Sequence, residues 1–285
     1  MSAPEPTMSH AGAAEAGLLV LVDPVARRLD GESVRIAKDV LSAGAEAKIC
    51  LPEGPEEFAR ALARRGHRRP VIVGDDGALA RAVALLHRGR ELREEELSLI
   101  PVGSPGTLAV ARSLGVPASA VQAARAVLDG AVRRLDLLVD DSDGVVLRGL
   151  RIPAAAAGVP VAGTAAWAGA PSVWSACRSL VRTLVRPPVG SAYAAQHRLR
   201  VEADGELLSD VDRLVRDVSV ASRDGFAEVV VRTSGGGREP VTARARTVTV
   251  SGADFRYRAD HRVAGPVRRR TWTLQPEAWG LTVPR

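Results

Sequence analysis

The sequence predicts an α/β domain with a parallel sheet, followed by a domain of mainly antiparallel β structure. Two observations carry this prediction. Up to about residue 134, short apolar runs alternate with amphipathic helical segments, which is typical of a parallel sheet covered on both faces. From residue 197 onward, apolar and polar residues alternate with a period of two between glycine-containing turns, as in antiparallel strands. We therefore expect a leader at 1–17, an α/β domain at 18–134 and a β-rich domain at 135–285.

The elements of the first domain follow in order along the chain. Five apolar residues at 18–22 predict the first strand, which runs up to Asp23-Pro24. The next helix is expected to begin at Ser33, which can cap it, and to end near Gly44. The remaining elements are expected to be strand 47–51, helix 56–65, strand 70–73, helix 79–86, strand 97–102 and helix 121–128.

The pattern changes after residue 134. Residues 152–171 are rich in Ala, Gly and Pro and predict an irregular crossing, and residues 173–185 predict a short helix. Strands are expected at 199–202, 218–220, 228–232, 247–250, 255–257, 272–274 and 279–283. Asp204-Gly205, Asp224-Gly225 and residues 234–237 supply the turns between them.

Composition narrows the class of protein. The chain has a net charge of +6, but aromatic residues make up only 3%, too few for the base-stacking platforms of single-strand binders. We therefore expect no nucleic-acid partner, whereas contact with anionic lipid headgroups is compatible with the charge. No apolar run is long enough to span a bilayer. Cys50 and Cys177 lie in apolar contexts typical of buried thiols in a reducing cytoplasm, so we expect a cytoplasmic protein that can lie peripherally at a membrane. A homo-oligomer is compatible with the sequence.

Two small-residue turns follow successive predicted strands. Gly74-Asp-Asp-Gly-Ala78 opens a helix after strand 70–73, and Gly103-Ser-Pro-Gly-Thr107 follows strand 97–102. A helix N-terminus offers free backbone N–H groups to an anion, and two such turns at neighbouring strand ends are how α/β proteins build a phosphate site. A strand-to-helix turn with an aspartate as N-cap explains the same residues, so both interpretations stay open.

Further motifs occur in a fixed order around these turns. Asp23-Pro24 ends the first strand, and Pro101-Val-Gly-Ser104 precedes Ala111-Arg-Ser-Leu-Gly-Val-Pro117. Downstream come Ala-Val-Arg-Arg-Leu-Asp at 131–136, Asp-Gly-Phe-Ala-Glu-Val at 224–229 and a closing segment at 255–284. In this order and spacing, the chain resembles the diacylglycerol kinase catalytic family, including the bacterial soluble lipid kinases, which share a superfamily fold with the NAD kinases. The resemblance covers roughly residues 18–285.

The resemblance implies an activity and a set of site residues. It implies ATP-dependent phosphorylation of a lipid hydroxyl, such as that of diacylglycerol, with ATP and Mg²⁺ as cofactors and a nucleotide and a lipid as partners. The lipid hydroxyl would lie in a cleft between the domains. Asp260 would be the general base and Asp224 a metal ligand. The implied nucleotide-binding residues are Asp23, Gly74, Asp75, Asp76, Gly77, Ala78, Gly103 and Ser104.

Several positions depart from the family pattern. Asp75 replaces the second glycine of the family's Gly-Gly-Asp-Gly-Thr turn, and Ala78 replaces its threonine. No Asn-Asp pair stands between Ser104 and Ala111, residues 25–28 replace a Ser-Gly turn, and residues 261–262 replace the Gly-Glu of the closing strand. A carboxylate about 4 Å from a phosphate oxygen costs about 4 kcal/mol at an effective dielectric near 20.

Two interpretations of Asp75 remain compatible with nucleotide binding. Its side chain can point away from the phosphates, or it can hold Mg²⁺ and so reverse the sign of its effect. Arg27, Arg28 or Arg262 can also supply compensating charge. The alternative hypothesis is a catalytically impaired relative that acts as a nucleotide-binding or lipid-binding sensor. NAD kinase activity is less favoured because no Asn-Glu pair follows the second turn.

Overall fold

The computed structural model describes residues 17–154, 197–234 and 239–285. Outside these ranges lie the leader up to residue 16, nearly all of the crossing expected at 152–171, the helix expected at 173–185 with Cys177, and most of the turn at 234–237. The chain divides into two compact units. Unit 1 runs to Gly149 and includes Ser222–Ala227 and Trp272–Arg285. Unit 2 consists of the described residues within 150–221 and 228–271.

Strands and helices alternate along unit 1. Each predicted strand and helix of the first domain is present, and the structure adds two short helices, α1 and α5. The elements are β1 (Leu18–Val22), α1 (Pro24–Leu29), α2 (Gly31–Gly44), β2 (Ala47–Cys50), α3 (Pro55–Ala63), β3 (Arg69–Gly74), α4 (Asp76–Arg88), β4 (Glu96–Pro101), α5 (Ala109–Ser113), α6 (Ala120–Asp129), β5 (Ala131–Asp140) and β6 (Val145–Val146).

The helix cap expected at Ser33 is wrong. The N-cap of α2 is Asp30, whose Oδ1 accepts a hydrogen bond from the backbone N–H of Ser33 at 3.0 Å. A carboxylate three residues before the first free N–H satisfies that donor better than the serine hydroxyl within the first turn can. The helix therefore begins two residues earlier than the sequence indicated.

The sheet of unit 1 is mixed. The predicted parallel pairing is present on both sides of β1, with β2 and with β3, and again between β3 and β4. Beyond β4 lies the end of β14 (Arg262–Val283), parallel to β4 and antiparallel to β5. The expected domain boundary at 134/135 differs from this division, because β5 crosses it and residues 272–283 supply the backbone partners that β4 and β5 need.

Two apolar clusters cover the two faces of the parallel strands. Alternate residues of β3 point to opposite faces, so Val71 and Val73 join one cluster and Ile72 the other. The first cluster packs against α2 and α6 through side chains such as Leu41 and Val127. The second packs against α3 and α4 and includes Phe58, which is fully buried. This packing fixes the positions at which α1, α4 and α5 begin.

Every element in the described part of unit 2 is a strand, as predicted. The strands are β7 (Gly149–Ile152), β8 (His197–Ala203), β9 (Glu206–Ser209), β10 (Leu214–Arg223), β11 (Phe226–Thr233), β12 (Val241–Ala245), β13 (Thr247–Ala259) and the first part of β14. β8 is antiparallel to β9, β10 and β13. The turns at Asp204-Gly205 and Asp224-Gly225 have positive φ at both residues, as tight hairpins require. Among the described residues, no helix has the length and apolar character needed to cross a membrane.

Candidate functional site at the carboxyl ends of the parallel strands

The carboxyl ends of β1, β3 and β4 lie side by side. The backbone N–H of Asp23 donates to Val73 at 2.9 Å, and that of Val102 donates to Gly74 at 2.9 Å. A Cβ added at Gly74 would lie 2.8 Å from that of Ala78, so only glycine fits this approach. A Cβ at Gly103 would lie 3.2 Å from that of Asp75. These contacts gather one set of predicted nucleotide-binding residues: Asp23, Gly74, Asp75, Asp76, Gly77, Ala78, Gly103 and Ser104.

Asp75 is the N-cap of α4. Its Oδ1 accepts hydrogen bonds from the backbone N–H groups of Gly77 at 3.0 Å and Ala78 at 3.1 Å. These are the donors that a phosphate at the start of α4 would use. Of the two interpretations of this turn, the structure therefore shows the one in which an aspartate is the N-cap of the helix.

Asp76 turns its carboxylate toward α5. It is 1% exposed, and its two oxygens accept hydrogen bonds from the backbone N–H groups of Val110 and Ala111, both at 2.8 Å. Its own N–H donates to the carbonyl of Thr107 at 3.0 Å. Asp76 therefore joins the first glycine turn to the second and occupies the first N–H groups of α5.

Asp23 has the corresponding position at α1. Its Oδ1 accepts from the backbone N–H of Val25 at 2.8 Å, and its Oδ2 pairs with a guanidinium N–H of Arg81 at 2.8 Å. Asp23 is 4% exposed, so the ion pair is largely removed from solvent on the carboxylate side. Arg81 also lies over the ring of Phe58, at 5.5 Å from its centroid. The Asp23 carboxylate and the Arg81 guanidinium therefore neutralise each other's charge.

The three aspartates have one consequence for anion binding. Each helix that begins at this edge, α1, α4 and α5, has backbone N–H groups of its first turn bonded to a carboxylate. The carboxylate of Asp75 adds a negative charge that no cation in the described residues pairs with, whereas Asp23 is paired with Arg81. The arrangement in the described residues does not fit a triphosphate at the first glycine turn.

Hydrogen bonds within the second glycine turn also connect its own residues. Thr107 donates to the carbonyl of Ser104 from its backbone N–H at 2.9 Å and from its hydroxyl at 3.0 Å. A Cβ at Gly103 would lie 2.7 Å from that hydroxyl. The side chain of Ser104 is exposed, so it remains accessible from solvent. Arg27 and Arg28 are exposed on α1 and are candidates for the compensating charge that the sequence suggested.

Asp136 on β5 is a site residue that the sequence analysis did not select. Its Oδ2 accepts from the backbone N–H of Gly225 at 2.8 Å and its Oδ1 from that of Glu277 at 3.0 Å. It lines a cavity of about 460 Å³ together with Arg134 and Asp224. The signal was present, since Asp136 ends the Arg-Arg-Leu-Asp segment that resembles a strand of the lipid kinase family.

The predicted metal ligand and general base lie in hairpin turns. Asp224 is exposed at φ +49° between β10 and β11 and belongs to unit 1. Within 17–154, 197–234 and 239–285, no three His, Cys, Asp or Glu side chains form a group that could hold a metal ion. Asp260, also at φ +49°, lies between β13 and β14 in unit 2. The roles of both residues stay predictions.

Comparison with known proteins bears on the family. Residues 17–139 match the model of the diacylglycerol kinase catalytic domain. No curated protein matches the chain.

Solved structures with a similar fold come from Bacillus anthracis str. Sterne and are named as diacylglycerol kinases, two of the three provisionally. One is 13% identical, with a TM-score of 0.68 over 94% of this chain and 97% of the other. A second is 14% identical, with a TM-score of 0.65 over 94% and 96%. At this identity the likeness shows the fold alone. Residues 17–139 are therefore similar to the diacylglycerol kinase catalytic domain, and the chain has the fold of those solved structures.

Proposed function

We propose that this chain is a catalytically impaired member of the lipid kinase family, which binds a diacylglycerol-like lipid without transferring phosphate efficiently. One observation carries the proposal: aspartate carboxylates occupy the first-turn N–H groups of α1, α4 and α5. Phosphoryl transfer depends almost wholly on positioning and on neutralising charge. An edge that presents carboxylates in place of free N–H groups opposes both.

Asp75 carries the largest part of this effect. It stands where the family has glycine, and it both occupies the two donors and adds a negative charge. The electrostatic cost of about 4 kcal/mol for a carboxylate 4 Å from a phosphate oxygen corresponds to about a thousandfold loss of affinity. The occupied donors add to that loss, because a phosphate would have to displace the carboxylate first.

A second candidate function is the ATP-dependent lipid kinase itself, with Asp260 as base and Mg²⁺ as cofactor. The match of residues 17–139 to the diacylglycerol kinase catalytic domain supports it, and so does one atom of Asp75. Both hydrogen bonds of this side chain end on Oδ1, and no group in the described part of the chain donates to Oδ2. A carboxylate oxygen with a free lone pair can take a cation, which would turn repulsion of phosphate into attraction.

Phosphate transfer to lipid distinguishes the two functions. The purified chain is incubated with Mg-ATP and mixed vesicles that contain diacylglycerol, and an Asp260→Asn variant is the background control. We expect transfer by the unmodified chain to equal that of the control, while diacylglycerol vesicles raise its melting temperature. Transfer clearly above the Asp260→Asn background would contradict the proposal and establish the kinase. Absence of both transfer and stabilisation would contradict the binding role.

Two substitutions of Asp75 separate its charge from its hydrogen bonds. Asp75→Asn removes the charge and keeps an N-cap acceptor, whereas Asp75→Gly removes both, at a helix cost of only a few tenths of a kcal/mol. We expect ATP affinity, measured by calorimetry, to rise at least tenfold in Asp75→Gly and by a smaller factor in Asp75→Asn. Unchanged affinity in both variants would show that Asp75 is not the limiting defect.

A further inference from the structure

A cationic cavity lies at the C-terminal end of α4, inside unit 1. Its volume is about 430 Å³. His87, Arg90 and Arg93 line it together with the apolar side chains of Leu92, Leu274 and Ala278. The three apolar residues are between 4% and 8% exposed, so they form a buried floor beneath the cations. Negatively charged side chains are absent from the described lining.

The three basic side chains have no acidic partner among the described residues. Within the residues that the structure describes, His87, Arg90 and Arg93 make no side-chain hydrogen bond or ion pair. Two of the nearby acids, Glu91 and Glu95, both pair with the buried guanidinium of Arg65. A concave surface lined by charge of one sign attracts ligands of the opposite sign.

The end of α4 places Arg90 in a backbone conformation that glycine usually adopts. Arg90 donates its N–H to the carbonyl of His87 and Glu91 donates to that of Leu86, both at 3.0 Å, which is a Schellman motif with Arg90 at the left-handed position. Its φ is +59°, where glycine is the usual residue. A bulky residue held in this conformation is an outlier of the kind that accompanies functional sites.

A bulge in β14 forms the opposite wall of the cavity. The pairing with β5 shifts between Gln275 and Trp279, and Glu277 lies at φ +47° within the shift. Asp136 holds the bulge through the N–H of Glu277, and Arg134 donates to the carbonyl of Glu277 at 2.9 Å. The bulge is therefore a fixed part of the fold, and it brings Leu274 and Ala278 to the cavity.

This cavity is separate from the glycine turns. α4 has 13 residues, so its two ends lie about 18 Å apart along the axis. His87 lies in the last turn of α4, where a basic side chain interacts favourably with the helix dipole. Arg90 and Arg93 lie beyond the helix, where this interaction is weak. A ligand of this cavity must offer negative charge to the arginines at the rim and apolar atoms to the side chains beneath them. A phosphate group joined to a hydrocarbon offers both, whereas inorganic phosphate offers only the charge.

We propose that the cavity formed by His87, Arg90 and Arg93 binds the phosphate headgroup of an anionic membrane lipid. Binding here needs neither ATP nor phosphate transfer, so this site and the proposed function fail or hold separately. It places the C-terminal end of α4 against the membrane surface. The site would hold the protein at the membrane whether or not the glycine turns take a nucleotide.

Vesicle binding tests the proposal on the full chain. Sedimentation with phosphatidylcholine vesicles is compared with sedimentation after part of the lipid is replaced by phosphatidic acid. We expect binding only to the anionic vesicles, about fivefold weaker for each of Arg90→Gln and Arg93→Gln. Arg88→Gln is the matched control, because it removes the same charge from an exposed neighbour outside the cavity lining and should change binding little. An equal loss in Arg88→Gln would overturn the proposal in favour of unspecific charge attraction.

Arg90→Gly separates binding from folding. Glycine suits the left-handed position, so we expect the melting temperature to stay unchanged or rise slightly while binding to phosphatidic acid vesicles weakens. A fall in melting temperature together with unchanged binding would assign Arg90 a structural role and overturn the proposal. Inorganic phosphate is the remaining arm, and if it stabilises the chain through Arg90 and Arg93 while anionic vesicles do not bind, the lipid assignment is wrong.

Discussion

At the scale of the residue, the two neighbouring aspartates of the first glycine turn bond to different helices. Asp75 is half-buried and caps its own helix, whereas Asp76 is fully buried and reaches across to the first turn of α5. The sequence identifies both as acids in a turn but not the direction of either side chain. The direction of the Asp76 side chain depends on α5, a helix of five residues that the apolar pattern did not predict.

Substitution of Asp76 measures the contact between the two turns. Asp76→Ala leaves the buried N–H groups of Val110 and Ala111 without partners, so we expect the free energy of unfolding to fall by about 3 kcal/mol. Asp76→Asn keeps one acceptor and should cost about half as much. Urea denaturation measures both, with Asp75→Asn as the control at the neighbouring, less buried acid. A loss below about 1 kcal/mol in Asp76→Ala would contradict the contact.

At the scale of the element, aspartate side chains cap several helices of unit 1. Asp30 caps α2 in the same way that Asp23 and Asp75 cap α1 and α4. Two hydrogen bonds that Ser33 donates to the Asp30 carboxylate, first from its side-chain hydroxyl and second from its backbone N–H, lower the pKa of Asp30. A capping carboxylate with a lowered pKa makes helix stability depend on pH.

The sign of that dependence follows from the shift. Because the pKa of Asp30 is lower in the folded chain than in the unfolded one, its contribution is present above the unfolded value and is lost as pH falls through the folded one. Asp30→Asn keeps the cap without titrating. We therefore expect the two proteins to differ in melting temperature at pH 7 and to converge below about pH 4. Asp30→Ala should cost about 1 kcal/mol at neutral pH. A difference that widens on acidification would contradict this assignment.

At the scale of the whole molecule, unit 1 is assembled from three separate stretches of chain. β5, the hairpin turn at 222–225 and the last part of β14 meet at Asp136. The indole N–H of Trp279 adds a bond to the carbonyl of the same residue at 3.2 Å. One side chain therefore holds together segments about 90 and 140 positions away along the sequence.

Loss of the Asp136 carboxylate should loosen all three segments at once. We expect Asp136→Ala to lower the free energy of unfolding by about 2 kcal/mol and to increase hydrogen exchange at Gly225 and Glu277. Asp136→Asn keeps one of the two acceptors and should show about half of the loss. Unchanged exchange at both N–H groups in Asp136→Ala would contradict the bonds described.

The sequence predicted what depends on local pattern. Apolar periodicity located β1, β3 and α4, and the Asp-Gly pairs located two hairpins, because both signals lie within a few residues of the element. The boundary at 134/135 could not be placed in this way, since the partners of β5 lie more than 130 positions later. The candidate site was found by its motifs, but the capping of its helices depends on tertiary contacts such as those of Asp76.

The place of β14 in unit 1 has a consequence for synthesis on the ribosome. β4 and β5 both find their neighbour in residues 272–283, which are made long after them. Until that stretch emerges, the growing chain carries two strands with unpaired backbone edges, the usual template for association with other chains. Unit 1, which contains both glycine turns, therefore completes its fold last, although most of it is translated first.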